Sequence, residues 1–137
     1  MNRNYLKQLA RTRLKEARIL LKNGKYDGAY YLCGYVIECA LKACIAKQTK
    51  KHDFPDKNTV NKSYGHNLTE LLGTAGLENP QKDERKNNPK LAINWTVVKD
   101  WRASSRYEKH GPREANDLYF AIVDRKDGVL KWIRKYW

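Results

Sequence analysis

Residues 26–50 read YDGAYYLCGYVIECALKACIAKQTK. Ala29, Cys33, Val36, Ile37, Ala40, Leu41, Cys44 and Ile45 recur there at three- and four-residue steps, which is the broad apolar stripe of a core helix. The helix is expected to begin near Tyr26-Asp27, to reach about Lys50 and to form the centre of the fold. Gly28 and Gly34 each lower its intrinsic helicity by up to ~1 kcal/mol, so close packing is expected at those two points. Glu38 and Lys42 lie four apart in the favourable order for a helical ion pair. Beside Ile37 and Leu41 they read either as a structural pair or as half-buried charges facing a groove.

Upstream, Leu6, Leu9, Ala10, Leu14, Ala17, Leu20 and Leu21 mark one face of a first helix. Arg3, Lys7, Arg11, Lys15, Arg18 and Lys22 occupy its other faces, and Asn23-Gly24 stops it. Downstream, residues 51–63 hold Pro55 and no periodicity, and are expected to form a loop. Leu68, Leu71, Leu72 and Ala75 give a short helix with Asn67 as N-cap and Gly76 as stop. Residues 78–90, with Pro80 and Pro89, read as a second loop. Leu91, Trp95, Val98 and Trp101 favour a helix, although residues 94–98 also suit a strand. A final helix opens at Gly111-Pro112 and carries Ala115, Leu118, Tyr119, Ile122, Val123, Leu130 and Ile133, with Gly128 as an irregularity. The sum is one all-α domain over residues 1–137: a bundle of four or five helices, three of them long and running up and down, with a short helix in the middle.

A chain of 137 residues buries about two thirds of its unfolded surface without metals or disulfides. With 41% hydrophobic residues and four Trp and nine Tyr, it has ample core material. The mean hydropathy of −0.86 reflects charge. No run of eighteen uncharged apolar residues exists, since Glu38 and Lys42 interrupt the longest, so no membrane span is expected. The N-terminus shows no secretory h-region or cleavage site, and Cys33, Cys39 and Cys44 match neither a disulfide framework nor a zinc site. Buried reduced thiols in a cytoplasmic protein are the expectation.

Lys and Arg number 28 against 15 Asp and Glu, a net charge of +13. The excess sits at the two ends: residues 1–25 carry eight basic and one acidic residue, and residues 91–137 carry ten and six. Such a stripe favours a polyanionic partner, RNA or DNA first, over a merely solvated lysine-rich surface.

The segment from Trp101 to His110 combines Arg102, Arg106, Tyr107 and His110: guanidinium groups for phosphate, aromatics for stacking, and an imidazole that titrates near neutrality. Metal-free RNA cleavage needs a base for the 2′-hydroxyl, an acid for the leaving oxygen and a cation for the phosphorane charge. Otherwise Arg106 and Tyr107 anchor this loop to the bundle and His110 faces solvent. His66, at the mouth of the short helix, satisfies backbone groups there or moves a proton. His52 gives no further signal. The sequence has no Gly-rich phosphate loop, GxSxG, HExxH or carboxylate cluster, and no cofactor or metal is expected.

The runs 17–32, 34–43 and 65–72, then Ser105-Arg106-Tyr107 and the helix near Glu114-Ala115, resemble a HEPN domain in order and over most of the chain. The resemblance implies an all-α bundle that pairs two-fold, with a cleft at the dimer interface. In active HEPN ribonucleases an Arg and a His separated by four to six residues meet in that cleft and cut RNA without metal. Here three residues separate Arg106 from His110 and seven separate Arg102 from His110; on a helix, a separation of four still places Arg106 and His110 on one face. The expected function is that of a dimeric, metal-independent endoribonuclease-like toxin or defence component. Arg106 and Arg102 would supply cations, His110 the acid or base, and Tyr107, Glu38, Lys42 and His66 would contact substrate. The alternative is a non-catalytic module that binds a nucleotide or docks on a nucleotidyltransferase or other effector.

Overall fold

The computed structural model describes residues 2–51 and 54–137; His52 lies outside the described residues. Helices are α1 (Arg3–Lys22), α2 (Tyr26–Lys51), α3 (Lys57–Ser63), α4 (Leu68–Thr74), α5 (Glu78–Asn87), α6 (Pro89–Lys99), α7 (Pro112–Val123) and α8 (Val129–Ile133), with a 3₁₀ turn at Ala103–Tyr107. The all-α expectation holds, whereas the expected four or five helices become eight among the described residues. Two of them, α1 and α2, are long.

The turns carry their sequence logic. Asn2 caps α1 by accepting from the Tyr5 N–H at 2.8 Å. At its other end Gly24 takes φ +70°, and the Lys25 N–H returns to the Leu20 carbonyl at 2.9 Å, a Schellman stop that only glycine enters without strain. Asn67 caps α4 on the Glu70 N–H, and Gly76 ends it in the same way.

Three expectations need correction. Residues 57–63 form α3, capped by Asp56 on the Thr59 N–H at 2.7 Å; all its residues are exposed or half-buried, so no apolar period marks it. Residues 78–87 form α5, a polar helix in which Gln81 is the buried residue. Its signal is charge order, Glu78 in the first turn and Arg85 and Lys86 in the last, which suits the helix dipole. Pro80 and Pro89 sit in first turns, where a missing N–H costs nothing, and Asn88 caps α6. The last helix is also two: the Asp124 carboxylate accepts from the Lys126 and Asp127 N–H groups and turns the chain. At Gly128 a Cβ would lie 2.5 Å from the Asp124 carbonyl oxygen.

α1 and α2 form an antiparallel hairpin, since Leu20 meets Gly28 at one end while Leu6 faces Ile45 and Ala46 at the other. α2 is the hub, packing against α1, α4, α7, α8 and the 3₁₀ turn. All eight residues of its apolar stripe are buried. It is long and apolar enough to cross a membrane by length and composition, yet 67% of that window is buried within the bundle, as a core helix must be.

The two helical glycines differ. At Gly34 a Cβ would fall 2.1 Å from the fully buried Trp101 ring, whereas at Gly28 it would meet only the mobile tip of Leu20 at 3.1 Å. Gly34→Ala is therefore expected to destabilise by roughly 1–3 kcal/mol through overpacking. Gly28→Ala should be neutral or gain up to ~1 kcal/mol of helix propensity. Urea denaturation of both variants checks the contrast.

Cys33, Cys39 and Cys44 are free and buried. Burial pushes their thiols up from the ordinary value of 9.0 to about 12, about 11 and about 12. Unfolded thiols ionise from pH 9 while the native ones hold their protons, so this contribution to stability is complete below pH 9. It falls as pH rises toward 11, by about 1.4 kcal/mol per pH unit per thiol. Urea midpoints at pH 8 and pH 10 are expected to show the drop, and equal midpoints would contradict it.

Candidate functional site

Tyr31, Tyr35, Glu38 and Lys42 follow one another along α2 at steps of four, three and four, so they share one face. The stripe spans about 16 Å of helix. It interrupts the apolar surface of α2, and other elements bring charged groups to it.

At its N-terminal end lies the 3₁₀ turn. Trp101, seated on Gly34, packs its ring 6.0 Å from that of Tyr31 and so fixes the turn that follows. Arg106 leaves this turn with its guanidinium 4.8 Å from the Tyr107 ring centre. The Tyr107 and Tyr31 hydroxyls beside it raise the pKa of this already strong base, so it is a cation at any working pH. Tyr107 is 79% exposed, and Arg102 is also exposed. Tyr31 in turn stacks on Tyr35, with ring centres 6.1 Å apart. Burial, and then neighbouring Cys39, raises the Tyr35 phenol to about 12, so it stays a neutral donor.

At the middle of the stripe Glu38, its side chain 3% exposed, holds two partners. Lys42 Nζ stands 3.2 Å from one carboxylate oxygen, and His66 Nδ1 stands 3.1 Å from the other. The capped start of α4 delivers His66, whose side chain is 57% exposed. Its ring nitrogen thus meets a buried carboxylate from another helix and not the backbone groups at the helix mouth. A carboxylate only accepts, so Nδ1 carries the hydrogen, and in the neutral ring Nε2 is then the lone pair. This is how a carboxylate orients an imidazole for proton transfer. Beyond Lys42 the stripe opens into a groove of about 340 Å³ whose walls include Arg3, Leu6, Ile45, Val60 and Tyr64.

His110 lies elsewhere. The 3₁₀ turn ends at Tyr107, and residues 108–111 are not helical, so Arg106 and His110 do not share a helix face. Arg106 joins Tyr31, whereas His110 stacks on Tyr30 with ring centres 3.8 Å apart and planes 13° from parallel. Its Nδ1 donates to Glu114 at 2.9 Å, and its backbone N–H donates to Asp27 at 2.5 Å. The side chain is 6% exposed, so it does not face solvent. Its Nε2 is buried without a hydrogen-bond partner among the described residues, 3.8 Å from Glu108.

The structure therefore brings Glu38, Lys42 and His66 into direct contact, sets Arg106 and Tyr107 at the other end of the same stripe, and places His110 around the corner. Tyr31 and Tyr35, which link the two ends, escaped the sequence reading. Their spacing to Glu38 and Lys42 was available as the signal.

Comparison with curated proteins and with solved structures gives no match. The family model of the HEPN domain matches residues 4–135, nearly the whole chain and every element of the stripe. The protein belongs to the HEPN domain family.

Proposed function

We propose that the protein engages RNA along the α2 stripe and cleaves it without a metal ion, working as a homodimer in a toxin or defence setting. The observation that carries the reading is the exposed His66 imidazole oriented by the buried Glu38 carboxylate, on the helix face that also receives Arg106. His66 Nε2 takes the 2′-hydroxyl proton as the oxygen bonds to phosphorus. The phosphorus–O5′ bond then breaks, and an imidazolium, from the second copy of the site in a dimer, returns a proton to the leaving oxygen. The products are a 2′,3′-cyclic phosphate and a 5′-hydroxyl. Arg106, about 10 Å along the stripe from Glu38, anchors a neighbouring phosphate of the strand, with Arg102 as a second cation, while Tyr107 stacks on a base. His110, enclosed by Tyr30, Asp27 and Glu114, holds the loop before α7.

Total cellular RNA in EDTA, run on a denaturing gel, tests this. Wild type should cut, His66→Ala should not, and His110→Ala should lose less than His66→Ala. A second reading, a non-catalytic module that binds a nucleotide or a partner effector, is favoured by the separation of Arg106 from His110. Intact RNA in every lane would select it.

A further inference from the structure

The charge excess at the two ends of the sequence becomes a single surface in the fold. The Arg3 guanidinium donates to the main-chain oxygen of Trp137, tying the start of α1 to the last residue. Around that indole, Lys7 Nζ stands 5.3 Å from the ring centre, the Arg11 guanidinium 5.1 Å and the Arg134 guanidinium 5.6 Å. Lys7 and Arg11 are successive i, i+4 positions of α1, so one helix face presents both. The ring itself is buried and serves as a floor on which the cations gather.

This is unlike an ordinary solvated face. Acidic residues elsewhere are interleaved: Arg13 pairs with Glu16, Lys82 with Glu78 and Lys99 with Asp100. Lys7, Arg11, Lys47 and Arg134 form no ion pair among the described residues, and they crowd one another. Burial lowers the Lys7 pKa, and the charges of Arg3, Arg11, Lys47 and Arg134 lower it further, so protonation at this spot works against its neighbours. The adjoining depression adds Arg125, Lys131 and Lys135 against the single carboxylate of Asp124. Arg3 also lines the groove that leads to Lys42, so this surface is continuous with the end of the α2 stripe.

We infer that the surface formed by Lys7, Arg11 and Arg134 around Trp137 is a docking site for the phosphate backbone of RNA, separate from the Arg106 and His66 groups. It rests on the reading of RNA as substrate and adds the place where the strand is held outside the reacting centre. Mutual repulsion among these cations is relieved when they meet phosphates, which release their own condensed counterions in exchange, and several contacts act together. The site reads no base, because the indole is covered and only charge is presented.

The test is fluorescence anisotropy of a labelled, uncleavable 2′-O-methyl oligonucleotide with the full chain across a KCl series. The variants are the triple Lys7→Gln, Arg11→Gln, Arg134→Gln and a control triple, Lys57→Gln, Lys86→Gln, Arg113→Gln, taken from exposed sites on other elements. Glutamine keeps much of each aliphatic stem, and thermal melting confirms folding. Three lost phosphate contacts should flatten the slope of log affinity against log salt by about 2, with affinity at low salt down about tenfold or more. The control should keep the wild-type slope. If the first triple also keeps it while Arg106→Ala weakens binding, this surface does not hold RNA although the stripe does, and its cations are left for an acidic protein face. No binding by wild type would overturn both readings. Should the first triple fail to fold, Arg134→Glu alone, outside the long helices, is expected to flatten the slope by about 1, and an unchanged slope would refute the site.

Discussion

His66→Ala is expected to lower the rate of RNA cleavage by about 10²–10⁴-fold, the usual worth of a positioned proton-transfer group, while changing affinity for uncleavable RNA by less than about threefold. The expectation follows from where the ring sits. More than half of the side chain is exposed, and its Nδ1 is engaged at 3.1 Å by a carboxylate that is itself buried. Removing the ring therefore deletes an exposed imidazole and leaves the phosphate-binding cations in place. Glu38→Gln should lower the rate by a comparable factor, because the amide can present its NH₂ to Nδ1, favouring the wrong tautomer, and no longer stabilises the imidazolium. A purely structural role for the pair gives a different pattern, a lower melting temperature in both variants with cleavage per folded molecule unchanged. Single-turnover cleavage alongside thermal melts separates the two.

Trp101→Ala is expected to cost about 3–5 kcal/mol, the range for removing a fully buried aromatic, out of a total stability of order 5–15 kcal/mol. The ring is completely buried over Gly34 and packs against Tyr31, so its removal opens a cavity between them. The loss also reaches the candidate site, because Trp101 holds the 3₁₀ turn that carries Arg106. RNA affinity should fall even under conditions where the variant remains folded. Urea denaturation gives the first quantity and anisotropy the second; a cost below about 1 kcal/mol would show that Trp101 is not the anchor.

Where burial dictated the pattern, the helices were legible. The eight apolar positions of α2 and the glycine stops after α1 and α4 were read from spacing and turn chemistry alone. α3 and α5 were not, because a helix held by a cap and by charge order has no apolar period to display. Pro80 and Pro89 read as loop markers since a first-turn proline and a loop proline look alike until the helix is known. At the site, Glu38 and Lys42 were visible as an i, i+4 pair, but the 28-residue separation between Glu38 and His66 hid their contact. The Arg106 to His110 spacing suggested a shared helix face only on the assumption of an α-helix there, and the chain instead turns after Tyr107. Charge counting found the basic ends of the chain, and Trp137 is what joins them.

The most direct measurement is NMR of the histidine ring resonances of the full chain while an uncleavable 2′-O-methyl RNA is added. If RNA lies on the α2 stripe, the His66 ring signals should move in step with occupancy, while those of His110, enclosed by Tyr30 and Glu114, should move little. Movement of His110 with His66 unperturbed would place RNA at the Asp27 corner and contradict the assignment of the α2 stripe as the RNA site.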